Sequence, residues 1–327
     1  MHEYRISNKE EIEELQKEFK SNFLQTTYWA EFKNWDTHYL VFEDNSKVYG
    51  YCVLLIEKKY FFKLAYVPRG PILNDYSKIL DSKFKSAISS IEDFAKTQHV
   101  SLLKIEPDHS DINHQDGNHP DGNINYSDIF KGYIKVNDFI QPVQTAVLDV
   151  GDRDFMIKNI SSKYRGRIRN KFNLELKTID DIDKFFKVYS DTANIKHFKQ
   201  RNIEYFKNMK FYFKDHIKIF GVYYNNILIA ASFNILWQDT LTYLYSGSDK
   251  KYNNMYPGYF LVFESSLSMK NNGIKITDLW GVSDDNTKWQ GFSEFKKNIG
   301  GRVIDFPGSF DLPLNKLYYS IYKLIKR

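Results

Sequence analysis

Cysteine is nearly absent. The chain of 327 residues has one, Cys52, which excludes an intramolecular disulfide and a Cys-based zinc site. It sits in the apolar stretch "GYCVLLI", so a buried structural thiol is expected; a nucleophilic thiol needs an electropositive setting. No apolar run approaches the ~20 residues that span a bilayer. The first residues, "MHEYRISNKEEIEELQ", are acidic with a helical pattern, unlike a signal peptide. No Ser-His-Asp order, Walker A loop or Rossmann fingerprint is found. These absences lead to the expectation of a cytoplasmic, soluble, monomeric protein without a cofactor or a metal.

Hydrophobic residues make up 42% of the chain and aromatics 17%, enough for substantial cores, and 27% charged residues of mixed sign argue against general disorder. The length fits two ordinary domains or one large one. A net charge of +5 permits an anionic partner.

The pattern repeats. "KVYGYCVLLIEKKYFFKLAYVPRGPIL" reads as two or three strands and a turn. A helical pattern follows with Ile79, Phe84, Ile88, Ile91 and Phe94 on one face, and then the strand "VSLLKIEPD". Later, "IKIFGVYYNNILIAASFNILWQDTLTYLYSGSD" reads as paired strands with Asn225-Asn226 as a hairpin turn. It is followed by a turn at Pro257-Gly258, a helix closed by Gly273, and the strand "IKITDLWGV". Strands, turn, helix, strand in that order is the core of an acetyltransferase-like fold. The fold class expected is α/β (α+β), two acetyltransferase (GNAT)-like domains in tandem, with a boundary near Ile140–Val150. The Pro257-Gly258 turn is unusual for that fold. It offers one glycine and several aromatics where a coenzyme A enzyme presents bare N–H groups to pyrophosphate.

Two segments suggest anion binding. "KNISSKYRGRIRNKF" carries Lys158, Lys163, Arg165, Arg167, Arg169 and Lys171 with no acid. Ile157, Ile160, Tyr164, Ile168 and Phe172 recur as one buried helical stripe would. The cations then face outward, either as a solvated basic helix or as a phosphate-tracking surface for RNA. In "HFKQRNIEYFKNM", Arg201 and Tyr205 share one helical face. A guanidinium beside a phenol suits a phosphate or carboxylate, or is a surface Arg packed on Tyr. The stretch with His109, His114 and His119 among Asp111, Asp116 and Asp121 matches no metal motif. Its Gly, Asn and Pro content reads as a solvated loop.

"QTTYWAEFKNW", "YVPRGPIL", "LLKIEPD", "KYRGRIRNKF", "YPGYFLVFESS", "DLWGV" and "GFSEFKKNIGG", in this order over nearly the whole chain, resemble the Fem-type (FemABX-like) peptidoglycan aminoacyltransferases. The resemblance implies transfer of an amino acid from aminoacyl-tRNA to the stem-peptide amine of a peptidoglycan precursor, either UDP-MurNAc-pentapeptide or lipid II. It implies domains at 1–147 and 148–308, with a tail, 309–327, packed on the first. No heptad segment is seen, so the chain is similar to the short form without a coiled-coil arm. A tRNA donor has no pyrophosphate arm, which would make the Gly-rich cradle unnecessary.

The same resemblance implies residue roles. Lys33, Arg201 and Tyr205 match precursor-binding positions, and Tyr245 a channel-lining tyrosine, with Tyr243 as the alternative alignment. Phe295 and Lys296 match a pair beside the reacting ester, where an ammonium would stabilise an oxyanion. Glu106 and Asp108 fall where an acidic residue has been considered as a base; a carboxylate at a strand end is more often structural. Lys163, Arg165, Arg167 and Arg169 would contact tRNA. The competing readings are an acyl-CoA-dependent N-acyltransferase of the same fold and a non-catalytic precursor- or RNA-binding module. In the last helix, Leu317, Ile321 and Leu324 form a stripe among Lys316, Lys323, Lys326 and Arg327. This C-terminal segment is expected to pack on the first domain, with peripheral membrane contact as the alternative.

Overall fold

The computed structural model describes residues 2–59, 62–74, 80–108, 126–169, 172–196, 199–283 and 290–325. Ile79, Lys171, the His/Asp stretch 109–125 and the final Lys326 and Arg327 lie outside them. The elements run β1 (His2–Ser7), α1 (Lys9–Glu18), α2 (Thr27–Lys33), β2 (Asp36–Asp44), β3 (Lys47–Lys59), β4 (Phe62–Pro68), β5 (Ile72–Leu73), α3 (Leu80–Thr97), β6 (Leu102–Glu106), α4 (Tyr126–Ile129) and β7 (Ile134–Val136). They continue as β8 (Gln144–Asp149), α5 (Arg153–Asn159), α6 (Ser162–Arg169), β9 (Glu175–Thr178), α7 (Ile182–Lys196), α8 (Ile203–Phe213), β10 (Ile217–Tyr224), β11 (Ile227–Trp237) and β12 (Thr240–Ser248). Last come α9 (Pro257–Met269), β13 (Ile276–Gly281), α10 (Gln290–Asn298), β14 (Arg302–Asp305), β15 (Ser309–Pro313) and α11 (Lys316–Ile325).

The chain divides into two compact units, Met1–Val143 with Asp305–Arg327, and Gln144–Ile304. The first sheet has the order β1-β2-β3-β4-β6-β15-β7 with β5 on β3; the second has β14-β8-β13-β12-β11-β10-β9. Both units follow one plan. An edge strand (β1 or β9) leads to two helices, a three-stranded antiparallel meander, a helix, and a strand parallel to the last of the meander. The meanders begin with matching turns. Asn45 and Ser46 (φ 50 and 62°) and Asn225 and Asn226 (φ 48 and 63°) supply the left-handed pair that a two-residue hairpin requires.

The copies differ at the parallel pair. In the first unit β4 and β6 stay in register from Leu64↔Leu102 to Pro68↔Glu106. In the second, β12 and β13 pair from Thr240↔Ile276 only to Thr242↔Asp278 and then part. The cause is local. Tyr243 opposes Asn234 and Tyr245 opposes Phe233, so Leu244 is an extra residue, a bulge that bends β12 away.

In the first core, Phe84, Ile88, Ile91 and Phe94 of α3 are buried against Leu40, Cys52, Leu54 and Val67, as the periodicity predicts. Burying each such side chain contributes about 1.5–3 kcal/mol. In the second core, Leu241 and Tyr243 meet Phe260, Leu261 and Phe263 of α9, together with Ile157, Ile160 and Ile168.

One expectation needs correction. The apolar stripe from Ile157 to Phe172 is not one helix: α5 stops at Asn159, Ile160 caps it in extended conformation (ψ 140°), and α6 starts anew. The two helices still turn their apolar residues to the same core, which is why the spacing looked continuous. In α11 the side that packs is the tyrosine side. Tyr319 is buried with Leu64 and Leu102, and Tyr322 packs beside it, whereas Leu317 and Leu324 are 69% and 70% exposed.

Candidate functional site

The bulge opens the second sheet where Lys296 enters. α10 carries Lys296 so that Nζ donates to the Gly281 carbonyl at 2.7 Å and the Trp280 carbonyl at 3.3 Å. These carbonyls lie on β13 past its last pairing with β12. Trp280 has a left-handed backbone (φ 64°). Its N–H donates to Asp278 Oδ1 at 2.8 Å, and the Thr145 hydroxyl donates to the same oxygen. Burial pushes the Lys296 amine down to about 8, and buried Asp278 opposes that fall. The "NIGG" turn that ends α10 is shaped for this approach. Gly300 has φ 100°, and a Cβ on Gly301 would lie 2.5 Å from the Lys296 carbonyl.

Phe295 starts an aromatic chain away from this amine. Its ring meets Tyr259 edge-on at 4.8 Å, and Tyr259 stacks on Tyr164 of α6 at 4.3 Å. The Arg167 guanidinium lies 4.0 Å from the Tyr256 ring and 5.3 Å from Tyr164. Arg165 is used differently: Nε donates to the Ile160 carbonyl at 2.7 Å and Nη2 to the Lys158 carbonyl at 2.8 Å, closing the end of α5. Lys163 and Arg169 are exposed.

The Pro257-Gly258 turn is the start of α9. Tyr256, in left-handed conformation (φ 55°), is its N-cap and makes no side-chain capping bond. Pro257 has no N–H, and the Tyr259 and Phe260 amides already donate to the Tyr256 carbonyl. Only the Gly258 amide remains in that turn to meet an anion. The Phe295 ring approaches within 3.6 Å of where a Gly258 Cβ would sit. The pyrophosphate cradle is therefore replaced by aromatic surface.

On the other face of this sheet, Arg201, Tyr205 and Tyr245 come together. Asn202 caps α8 by accepting the Tyr205 N–H at 2.9 Å, which sets Tyr205 in the first turn. Its hydroxyl is 3.0 Å from that of Tyr245. The Arg201 guanidinium lies 4.9 Å from the Tyr205 ring, and its backbone N–H donates to the Tyr189 hydroxyl at 3.2 Å. Burial raises the Tyr205 phenol, so it keeps its proton near neutral pH. Burial opposes the Arg201 charge, while Tyr205 and Tyr245 outweigh it. The bulge at Leu244 puts Tyr245 on this face and Tyr243 in the opposite core.

The first unit holds the other predicted residues. Lys33 ends α2, half-buried, with Nζ 4.4 Å from the Trp35 ring and 5.8 Å from that of Trp29. Glu106 is buried at the end of β6. It accepts the Tyr66 hydroxyl at 2.6 Å and the backbone N–H groups of Ile140 at 2.6 Å and Gln141 at 3.0 Å. Those bonds hold the 138–142 segment. Asp108, half-buried, lies beyond the end of β6. Among the described residues no group of three or more His, Cys, Asp or Glu could hold a metal ion. No described helix is long and apolar enough to cross a membrane.

From the sequence Tyr164 is expected only in the apolar stripe, and Asp278, Tyr256 and Tyr259 carry no expected role. All four lie in the motifs "DLWGV", "YPGYFLVFESS" and "KYRGRIRNKF", but nothing along the chain marks Asp278 as a buried acceptor or brings the three tyrosines together.

Two mixed α/β units of one plan, each with a parallel pair beside a long helix, define a tandem acetyltransferase-like protein. The tandem GNAT protein of the clavulanic acid biosynthesis pathway has this arrangement, at TM-score 0.55 and 9% identity over 95% of this chain and 98% of that one. A crystal structure of FemX superposes at TM-score 0.83 with 18% identity, covering 98% of this chain and 99% of that one. The FemAB family model matches residues 8–225 and 220–327. The chain belongs to the FemAB family. Aminoacyltransferase FemA of Staphylococcus epidermidis is 25% identical over 169 residues, 50% of this chain and 38% of that protein. The lipid II:glycine glycyltransferase of Staphylococcus aureus is 26% identical over 224 residues, 64% of this chain and 51% of that protein. The chain thus spans about half the length, or less, of these curated relatives in the matched regions.

Proposed function

We propose that this protein transfers an amino acid from aminoacyl-tRNA to the stem-peptide amine of a peptidoglycan precursor, nucleotide-linked or lipid-linked. Family membership supports the class of reaction. The observation that carries the reading on this chain is the Lys296 amine, held by the Gly281 and Trp280 carbonyls where β12 and β13 part. It lies beside an aromatic chain that runs to the cations of α6.

In the reaction the acceptor amine attacks the ester carbonyl. A C–N bond forms, the C–O bond to the ribose breaks, and one proton passes from the amine to the ribose oxygen. An ester is already activated, so holding the partners together supplies much of the rate. An amine at about 8 is mostly protonated at neutral pH. It can stabilise the oxyanion of the tetrahedral intermediate and stay close to the departing ribose oxygen. Arg201 with Tyr205, and Lys33 on the first unit, suit the anionic groups of the precursor. Lys163, Arg167 and Arg169 suit tRNA phosphates.

The test uses the purified full chain with a mixture of charged tRNAs and either precursor, with mass spectrometry of the products. The expected result is an acceptor heavier by aminoacyl residues, dependent on the charged tRNA. An unchanged acceptor mass with every charged tRNA would overturn the proposal.

A further inference from the structure

Among the described residues, one face of α11 is left largely uncovered. Leu317, Ile321 and Leu324 recur along it at helical spacing; Leu317 and Leu324 are 69% and 70% exposed, and Ile321 between them is half-buried. The helix cannot roll to hide them, because its other face is fixed. The Tyr319 hydroxyl donates to buried Asp311 at 3.2 Å, the Tyr322 hydroxyl donates to Asp138 at 3.3 Å, and the Tyr322 ring stacks on Phe62 at 5.6 Å. Lys316 and Lys323, seven apart and both exposed, border the leucine stripe. From Pro313 to Arg327 the sequence has four cations and no acid. Two of those cations, Lys326 and Arg327, lie outside the described residues. Neighbouring Lys58 and Lys59 already face Asp36 and Glu57 and add little to the charge.

We infer that α11 is a peripheral anchor that lies flat on an anionic phospholipid surface, with its leucines in the acyl boundary and its lysines at the headgroups. The chemistry fits that occupant better than a protein partner. An aliphatic stripe bordered on one side by cations with no acid complements a negatively charged, laterally fluid surface. Lysine stems can cover apolar depth while their ammonium groups reach the phosphates. A stripe of this size gives weak, reversible binding that needs both the apolar and the electrostatic contribution. The inference is independent of the donor and acceptor proposed above.

The experiment is cosedimentation of the full chain with sucrose-loaded vesicles, of phosphatidylcholine alone or mixed with an equal amount of phosphatidylglycerol, at low and high salt. Binding is expected to the mixed vesicles at low salt, weakening as salt rises, with little to the neutral ones. L317S/L324S should lower the partition coefficient by about tenfold or more. K316Q/K323Q should lower it by about tenfold and flatten its salt dependence. Both variants change exposed side chains, and unchanged thermal unfolding should accompany the losses. Binding by L317S/L324S equal to that of the unmodified chain would overturn the inference, as would failure of the unmodified chain to bind the mixed vesicles. A dimer of the unmodified chain that L317S/L324S converts to monomer would assign the stripe to a second copy instead. These vesicles contain no precursor and no tRNA, so the outcome is separate from that of the transfer assay.

Discussion

At Lys296 the amine has two carbonyl partners and a depressed affinity for its proton, and these make separable predictions. Lys296→Met should lower single-turnover transfer by about a hundredfold, the scale of losing one oxyanion donor, with binding of both substrates little changed. Lys297→Met, one residue on, should stay near the unmodified rate. Burial lowers the Lys296 amine from 10.5 to about 8, so the charged form, and with it the contribution to rate, is complete well below 8 and lost above it. The ratio of unmodified to Lys296→Met rates should therefore fall as pH rises through about 8. Taking the ratio cancels titration of the acceptor amine. A ratio that rises with pH would make Lys296 a base. For the acceptor, Lys33→Met and Arg201→Met should each raise KM about tenfold, as losing a charge-assisted bond of about 1.5–3 kcal/mol would. An unchanged KM in both variants would remove them from the precursor site.

At the scale of elements, the basic helix pair divides its cations between two tasks. Lys163 and Arg169 are exposed on α6 and Arg167 lies over the Tyr256 ring, while Arg165 is tied to carbonyls at the end of α5. Neutralising the first three together should weaken tRNA binding and reduce the slope of log K against log salt by about 0.7–0.9 per lost phosphate contact. Arg165→Gln should leave that slope intact and lower the melting temperature, because two carbonyls lose charged donors. The tail strand makes a parallel case. Lys104 on β6 and Asp311 on β15 form a buried pair at 2.6 Å with side-chain exposures of 0% and 2%. Removing one partner strands the other charge, so Lys104→Met should destabilise the first unit by about 3–5 kcal/mol in denaturant unfolding. A loss below 1 kcal/mol, roughly that of a surface pair, would show that Asp311 is already neutral. Burial does raise its carboxyl above the usual range, with Lys104 opposing.

Across the whole molecule, the two copies of one plan differ where a donor would enter. The first unit keeps β4 and β6 zipped to their ends; the second opens at the Leu244 bulge. The α9 turn has one amide left for a phosphate and a phenyl ring beside it. Coenzyme A should therefore leave the melting temperature unchanged at concentrations where charged tRNA raises it. The reverse result would favour the acyl-CoA reading over the proposed one.

Much of this architecture is legible along the chain because its cause is local. Asn225-Asn226 dictates a hairpin, and Phe84, Ile88, Ile91 and Phe94 dictate the buried face of α3. Repetition of strand, turn and helix dictates a doubled acetyltransferase-like fold. Even the missing cradle at Pro257-Gly258 is visible, since proline removes a donor wherever it stands. Other features depend on what faces a residue across space. A single extra residue in β12, which no periodicity reveals, sends Tyr245 toward Arg201 and Tyr243 into the core. Arg165 has the same type and spacing as Arg167; only the turn at Ile160 gives it carbonyls to hold. The apolar spacing in α11 marks two candidate faces, tyrosine and leucine. Buried Asp311 on the preceding strand and Phe62, far away in sequence, decide that the tyrosines turn inward. Local propensity thus determined the elements and their order, while partners brought close by folding decided which side chains are spent on structure and which are left to meet a ligand.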